Sequence, residues 1–412
     1  MNPGYSGNTP PGHAARHAGR AALAQALQAA RERTLALFAA YEAALPPGLP
    51  VPLAEHLNPP RWELGHVGWF QEWWLGRNRQ RALGMRADPL HARAPSRLAG
   101  ADALYNSSEV AHDSRWTLPL PDADVTRAYL AEVLADSLAL LQEAVESDDA
   151  LYFWRLALFH EDMHAEAAVY MAQALGIALP PALRRGQGRG LAAPPPPEGQ
   201  LVLPGGSWRL GWDGPGFAFD NELPAHSVAL APFQIDAAPV SWARFLPFVE
   251  AGGYQDARWW PAEGWRWRRA AQRDGPAVLR RAGGGWMQHR FGDWTPLDPA
   301  APALHLTAWE AEAWCRWAGR RLPSEAEWEC AACNAGGFAW GEAWEWTASP
   351  FAPFTGFVAH PYRDYSQPWF GSRRVLRGAS FATAARLVHP RYRNYFPPQR
   401  GDVPAGFRSC AG

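Results

Sequence analysis

The stretch 178–199, ALPPALRRGQGRGLAAPPPPEG, constrains the architecture most, because it separates two parts of the chain with different texture. Proline, glycine and arginine without apolar periodicity read as a linker. Before it, alanine- and leucine-rich runs recur at helical spacing; after it come short β-like runs, QLVLPGGSWRLG and HSVALAPFQI, among Gly, Pro and Trp turns. A chain of 412 residues exceeds one ordinary core, so two domains are expected, and 48% apolar residues can fill both.

Upstream of the linker, residues 1–12 are Pro/Gly-rich and are expected to be disordered. Helices are predicted from about His13 to Leu45, from the prolines at 59–60 through RWELGHVGWFQEWWLGRNRQRAL, over about 123–147, and from Asp149 to Leu175. Four helices within 13–177 predict a bundle. Residues 200–412 predict an irregular α+β domain with long loops and brief helices such as TAWEAEAWCRWAG.

Composition excludes several functions. The 39 basic residues balance 40 acidic ones, which argues against nucleic acid or an anionic membrane as the main partner. The chain has no lysine, so Schiff-base and lysine general-base mechanisms are excluded. Four cysteines, Cys315, Cys330, Cys333 and Cys410, are too few and too unevenly placed for a disulfide framework, and a lone CxxC lacks the second pair a structural zinc needs. The N-terminus lacks a continuous apolar segment and no run of about 18 apolar residues occurs, so a soluble cytoplasmic protein is expected.

The chemistry concentrates in LFHEDMHAEA, residues 158–167, where His160 and His164 stand four apart around Glu161. This is the HExxH pattern of zinc proteases, in which the glutamate is a general base. On a helix, residues i and i+4 share a face about 5–6 Å apart at Cβ, so both imidazoles can reach one ion. Phe153, Ala157, Ala167 and Met171 lie on that face and turn it inward; Trp62, His66, Phe70 and Trp73 repeat the device upstream. A lone buried histidine is more often a hydrogen-bonded core residue, but three can converge inside one bundle. Three neutral imidazoles with open positions suit Fe(II), although ligand type does not separate iron from zinc.

With these motifs stand ELGHVGWF, RLPSEAEWE, WEWTASPF, VLRGASFAT and RYRNYFPPQRGDVPAGFRS. Together they resemble the ergothioneine sulfoxide synthase family, over nearly the whole chain. The resemblance implies a DinB-like four-helix bundle joined to a formylglycine-generating-enzyme-like domain of C-type-lectin style. It implies a nonheme Fe(II), O2-dependent enzyme that forms a carbon–sulfur bond at the imidazole carbon between the two ring nitrogens of hercynine. The iron ligands then fall on His66, His160 and His164, the catalytic tyrosine on Tyr362, and hercynine-binding positions on Tyr365 and Asn394. Tyr395 is expected to wall the trimethylammonium.

Departures from the family concern the second substrate. Thiol-using relatives hold donor carboxylates with arginines, which pair bidentately with them. Here Glu109 and His112 fall at two of those positions and Phe396 replaces an aspartate, while Arg400, and Arg115 as a third survivor, remain. Met163 stands where many sulfur enzymes have glutamine. A less charged donor is implied, and LYNSSEV followed by HDSRW resembles the selenoneine synthase branch, which joins hercynine to a 1-selenosugar. Cysteine or γ-glutamylcysteine as donor, a zinc hydrolase and a non-enzymatic binding protein are the rivals. Glu325, Arg408 and the WRWRR run are expected to be structural or surface features.

Overall fold

The structure is a computed structural model that describes residues 10–187 and 199–412. The expectations of disorder for 1–9 and of a linker for 188–198 lie outside the described residues. Helices α1 (Pro11–Arg16), α2 (Arg20–Ala44), α3 (Pro60–Gln71), α4 (Ala101–Tyr105), α5 (Ala123–Glu143) and α6 (Asp148–Leu175) make up the N-terminal half. Their ends follow local chemistry. Proline occupies the first turn of α3, the Asp122 carboxylate accepts from Val125 N to cap α5, Ser147 caps α6, and left-handed Gly176 closes it. Leu23, Leu27 and Tyr41 of α2, Trp62 and Phe70 of α3, and Phe153 and Ala157 of α6 share one buried core.

Four expectations need correction. The first helix is two, because extended Gly19 interrupts it and Arg20 N turns to the Glu146 carboxylate at 3.0 Å. The second helix stops at Gln71 and continues only as a widened turn, Glu72–Gly76, where Arg77 N reaches back to Glu72 O. Residues 10–12 belong to ordered structure, with Gly12 N donating to Val388 O at 3.1 Å and a Cβ at Gly12 meeting that carbonyl at 2.6 Å. Of the expected linker, 178–187 is packed as well, since Arg33 donates to Arg185 O at 2.6 Å and Gly186 N to Phe381 O at 2.8 Å.

The C-terminal half holds small sheets. Strands β1 (Gln200–Leu203), β4 (Phe233–Asp236), β13 (Cys410–Ala411) and β8 (Arg320–Arg321) form one sheet in that order, and β11 (Asn394–Phe396), β10 (Arg374–Ala379), β9 (Ala343–Pro350) and β12 (Ala405–Gly406) another. A two-stranded sheet of β2 (Gly206–Leu210) and β3 (His226–Leu230) and a three-stranded one of β5 (Leu279–Ala282), β6 (Gly285–Arg290) and β7 (Asp293–Pro296) stand apart. Buried ion pairs tie the loops to this frame: Glu325 with Arg393 at 2.8 Å and Glu345 with Arg408 at 2.5 Å. Both therefore have the structural role expected of them. WRWRR falls in the helix Ala262–Ala270 at the surface, where Trp267 packs on Trp309. No helix among the described residues is long and apolar enough to cross a membrane.

The halves close on each other through α6. The Glu166 carboxylate is buried and accepts from Trp344 Nε1 at 2.7 Å, Ser380 Oγ at 2.7 Å and Thr383 Oγ1 at 2.8 Å, and from the Tyr170 hydroxyl. Asp162 pairs with Arg386 at 2.5 Å, and the Tyr152 hydroxyl donates to His360 Nδ1 at 2.9 Å. Removing Glu166 would orphan several buried donors at once. Glu166→Ala is expected to cost about 3–5 kcal/mol, read as a shift in chemical-denaturation midpoint.

The junction also sets a pH dependence. Burial holds the imidazole of His360 down at about 4, and that of His305 at about 4. The unfolded chain, with histidine near 6.5, takes up these protons first, so their contribution is lost as pH falls from about 6.5 to about 4. Asp162 and Asp220, pushed up to about 6 by burial, act in the opposite sense, because the native state keeps their protons longer. His360→Gln should therefore flatten the stability loss between neutral pH and pH 4 relative to wild type. The difference is on the order of 2–3 kcal/mol, at about 1.4 kcal/mol for each tenfold in proton affinity.

Candidate metal centre

Helices α3 and α6 bring His66, His160 and His164 together, with one ring nitrogen of each within 4.8 Å of the others. Hydrogen bonds on the far side of two rings decide which nitrogens converge. His66 Nδ1 donates to Tyr105 O at 2.8 Å, and His164 Nδ1 donates to Glu63 Oε2 at 2.5 Å. Each therefore turns Nε2 to the centre, where His160 Nε2 and His164 Nε2 lie 3.2 Å apart. Burial pushes His66 down to about 3 and His160 well below the ordinary histidine value, so both rings are neutral with lone pairs available. Facing lone pairs at this separation repel unless a proton or a cation lies between them, and three imidazoles turned to one point form a donor set that fits a divalent metal.

The supports extend outward. Asn58 Nδ2 donates to Glu63 Oε1 at 2.6 Å, and Arg115 donates to Asn58 Oδ1 at 3.0 Å while lying 3.8 Å over the Trp62 ring. Burial would push the Glu63 carboxyl up, but the charge and hydrogen bond of His164 hold it down at about 2. Tyr105 comes close enough to hold His66 because position 65 is glycine; a Cβ there would lie 2.1 Å from the Tyr105 ring. His160 is clamped by stacking on Phe70 at 3.5 Å between centroids.

Glu161 faces away from the centre. Its carboxylate takes Arg31 Nε at 2.8 Å and Thr34 Oγ1 at 2.9 Å. It braces α6 against α2, so the zinc-protease reading of the motif has no general base here.

The C-terminal half supplies the opposite wall. Tyr362 lies edge-on to Phe70 at 4.9 Å and 6.3 Å from the His160 ring, and burial raises its phenol above the ordinary tyrosine value. Tyr365 stacks on Phe219 at 4.5 Å, with its hydroxyl 3.3 Å from that of Tyr392, which in turn lies 3.3 Å from Met163 Sδ. A cavity of about 270 Å³ opens beside His164, and Met163, His112, Asn394, Phe396 and Arg400 line it together with Glu63. Asn394 spends its carbonyl oxygen on Tyr395 N at 2.9 Å, which leaves its NH2 group as the donor for a ligand.

Some expected site residues lie elsewhere. Glu109 is exposed and outside the cavity wall, because the turn after α4 closes on Asn106 O and presents Val110 inward in its place. Tyr395 stacks on Phe351 at 3.9 Å, and neither it nor Tyr362 or Tyr365 lines this cavity, although the last two pack near the triad. Arg115 stands behind the metal centre, on Asn58. Arg400 does line the cavity, but its guanidinium is paired with Asp402 at 2.5 Å. Sequence reasoning did not single out Glu63, Asn58 or Tyr392. Glu63 left a signal, a carboxylate three residues before His66, but its reach to the other helix is a tertiary fact.

A family model for the sulfatase-modifying factor enzyme 1-like domain matches residues 191–342. The chain is 34% identical over 441 aligned positions to hercynine oxygenase of Mycolicibacterium smegmatis, covering 94% of this chain and 98% of that protein. It is 35% identical over 448 positions to hercynine oxygenase of Mycolicibacterium thermoresistibile, covering 94% of each. Against formylglycine-generating enzyme of Streptomyces coelicolor it is 30% identical over 271 positions, covering 50% of this chain and 84% of that enzyme. Fold and site together define a helical region with a three-histidine centre fused to a sulfatase-modifying-factor-like domain. With relatives this similar over nearly its whole length, the chain belongs to the hercynine oxygenase family.

Glu63 is the most direct support of a ligand. Outer-shell carboxylates of this kind typically contribute about 10–100-fold to metal affinity. Glu63→Gln is expected to weaken divalent-metal binding by about that factor in an anaerobic titration.

Proposed function

We propose that this protein is a nonheme Fe(II), O2-dependent enzyme that forms a bond between the imidazole carbon of hercynine and a chalcogen donor, with a 1-selenosugar as that donor. The observation that carries the hercynine part is the converging triad His66, His160 and His164 in a chain that matches hercynine oxygenases end to end. The helical half is proposed to be DinB-like, and the setting cytoplasmic. Bound at the triad, Fe(II) would supply a redox-active common centre for the substrates and oxygen.

The chain's own groups do the rest. Glu63 and the Tyr105 carbonyl hold two imidazoles in the tautomer that presents Nε2. The NH2 group of Asn394 orients hercynine, while Tyr392, Tyr365 and Met163 line its trimethylammonium; cations favour such aromatic faces. Tyr362, whose phenol keeps its proton because it is buried, donates at the reacting centre and directs the outcome toward bond formation. Forming the carbon–selenium bond breaks the imidazole C–H and donor Se–H bonds and releases two electrons and two protons; oxidation of selenium supplies the other two electrons, so one O2 yields the selenoxide product and one water. Closeness of the reactants at one centre accounts for several kcal/mol, roughly 7–11 in favourable cases.

The donor assignment rests on what the cavity offers. Its one guanidinium, Arg400, is already paired with Asp402, and Arg115 is engaged elsewhere. The exposed Glu55 carboxylate and His112 favour hydroxyls over carboxylates, and Phe396 gives a flat apolar wall suited to a sugar ring. Cysteine or γ-glutamylcysteine is the alternative donor.

The test is anaerobic reconstitution with Fe(II), followed by hercynine, oxygen and each donor in turn, with products identified by mass. A selenium product exceeding the sulfur products supports the assignment; a robust sulfur product without a selenium one overturns it. His66→Ala, His160→Ala and His164→Ala should each abolish product formation. Tyr362→Phe should lower the bond-forming rate by about 10²-fold or more, as measured by single-turnover product formation, while metal binding persists.

A further inference from the structure

His164 and Glu63 are walls shared by two cavities. One is the polar cavity closed by the C-terminal half. The other, of about 40 Å³, lies between α2, α3 and α6 and is lined by Leu37, Phe38, Leu64, Val67, Ala165 and Ala168. Its lining is mostly apolar, and each of the few polar groups that border it already holds a partner. Thr34 Oγ1 donates to Glu161 at 2.9 Å, the Tyr41 hydroxyl donates to Ala168 O at 2.6 Å, and Glu63 is held by His164 and Asn58. A water molecule needs two to four partners, and apolar cavities of this kind stay dry and take up apolar guests such as xenon. The volume is far below that of hercynine or a sugar but accommodates a diatomic gas.

We infer that this cavity is a dioxygen site, an apolar antechamber from which O2 reaches the histidine triad along the α2 side of His164. The inference rests on the oxygen-dependent reading above. With hercynine and donor filling the polar cavity, the route past its mouth is blocked, whereas the small cavity still touches the same imidazole. Its lining prefers a non-polar gas over water, and its size excludes both larger substrates. Substrate binding and oxygen entry are thereby separated on the two sides of one ligand.

The test uses the full-length Fe(II) protein. Crystals pressurised with xenon should show it between Leu37, Val67 and Ala168, and the filling variants Ala168→Leu and Leu37→Phe should each exclude it. Those variants should raise the apparent KM for O2 several-fold, with metal content and hercynine affinity unchanged. Ordered water in the cavity, absence of xenon from it, or an unchanged KM for O2 in filled variants that still fold and bind metal overturns the inference. Wild-type protein that holds xenon there but consumes no oxygen with hercynine and any donor overturns the functional reading, and leaves the gas site standing.

Discussion

The hydrogen bond between His164 and Glu63 is the contact on which the rest of the centre depends. It crosses from α6 to α3, so it fixes the relative rotation of the two helices as well as the tautomer of one imidazole. The same helix α3 that supplies Glu63 supplies His66, and α6 supplies both other histidines. Slippage of either helix by one residue would swing a histidine out of the cluster. That is why the surroundings are so rigid: aromatic stacking on His160, a glycine at 65 that admits Tyr105, and the chain from Arg115 through Asn58 to Glu63 all restrain one small volume.

The second dependency is the junction between the halves. The three-histidine cluster on α3 and α6 has aromatic company from the C-terminal half only if Tyr362 and Tyr365 are held near it, and they sit at the two ends of one short 3-10 turn, Arg363–Tyr365. Their loop is positioned from several sides: Phe70 and Phe219 pack on the rings, Ser366 donates to Asp220, and Ser108 in the turn after α4 donates to Asp364. The buried Glu166 carboxylate anchors β9 and the loop after β10 to α6 in the same region. Burying a carboxylate is costly unless it is fully hydrogen-bonded, and here the donors come from both halves, so the cost is met only when they close.

Much of this was legible in the sequence. The i,i+4 histidines on an apolar helical face specify that both imidazoles point inward, and the third inward-facing histidine on α3 followed from the same periodicity. Glu325 and Arg408 declared themselves as buried charges that need partners. What periodicity does not carry is who meets whom across elements. Glu109 and Val110 are neighbours, and only the closure of a turn on Asn106 determines which is buried. Tyr395 and Tyr392 are equally aromatic, yet the strand register of β11 turns one onto Phe351 and leaves the other beside Met163. Arg115 matched a donor-binding position and instead supports the metal centre, because Asn58 and Trp62 lie within its reach.

What occupies the triad decides the chemistry of the whole site. An anaerobic crystal of the Fe(II)-loaded protein with hercynine, measured at the iron absorption edge, tests it directly. The prediction is one anomalous peak within bonding distance of Nε2 of His66, His160 and His164, with the hercynine imidazole at an open position and its amino-acid end toward Asn394. Iron at another place, or a loaded triad with hercynine bound outside the cavity, would contradict it.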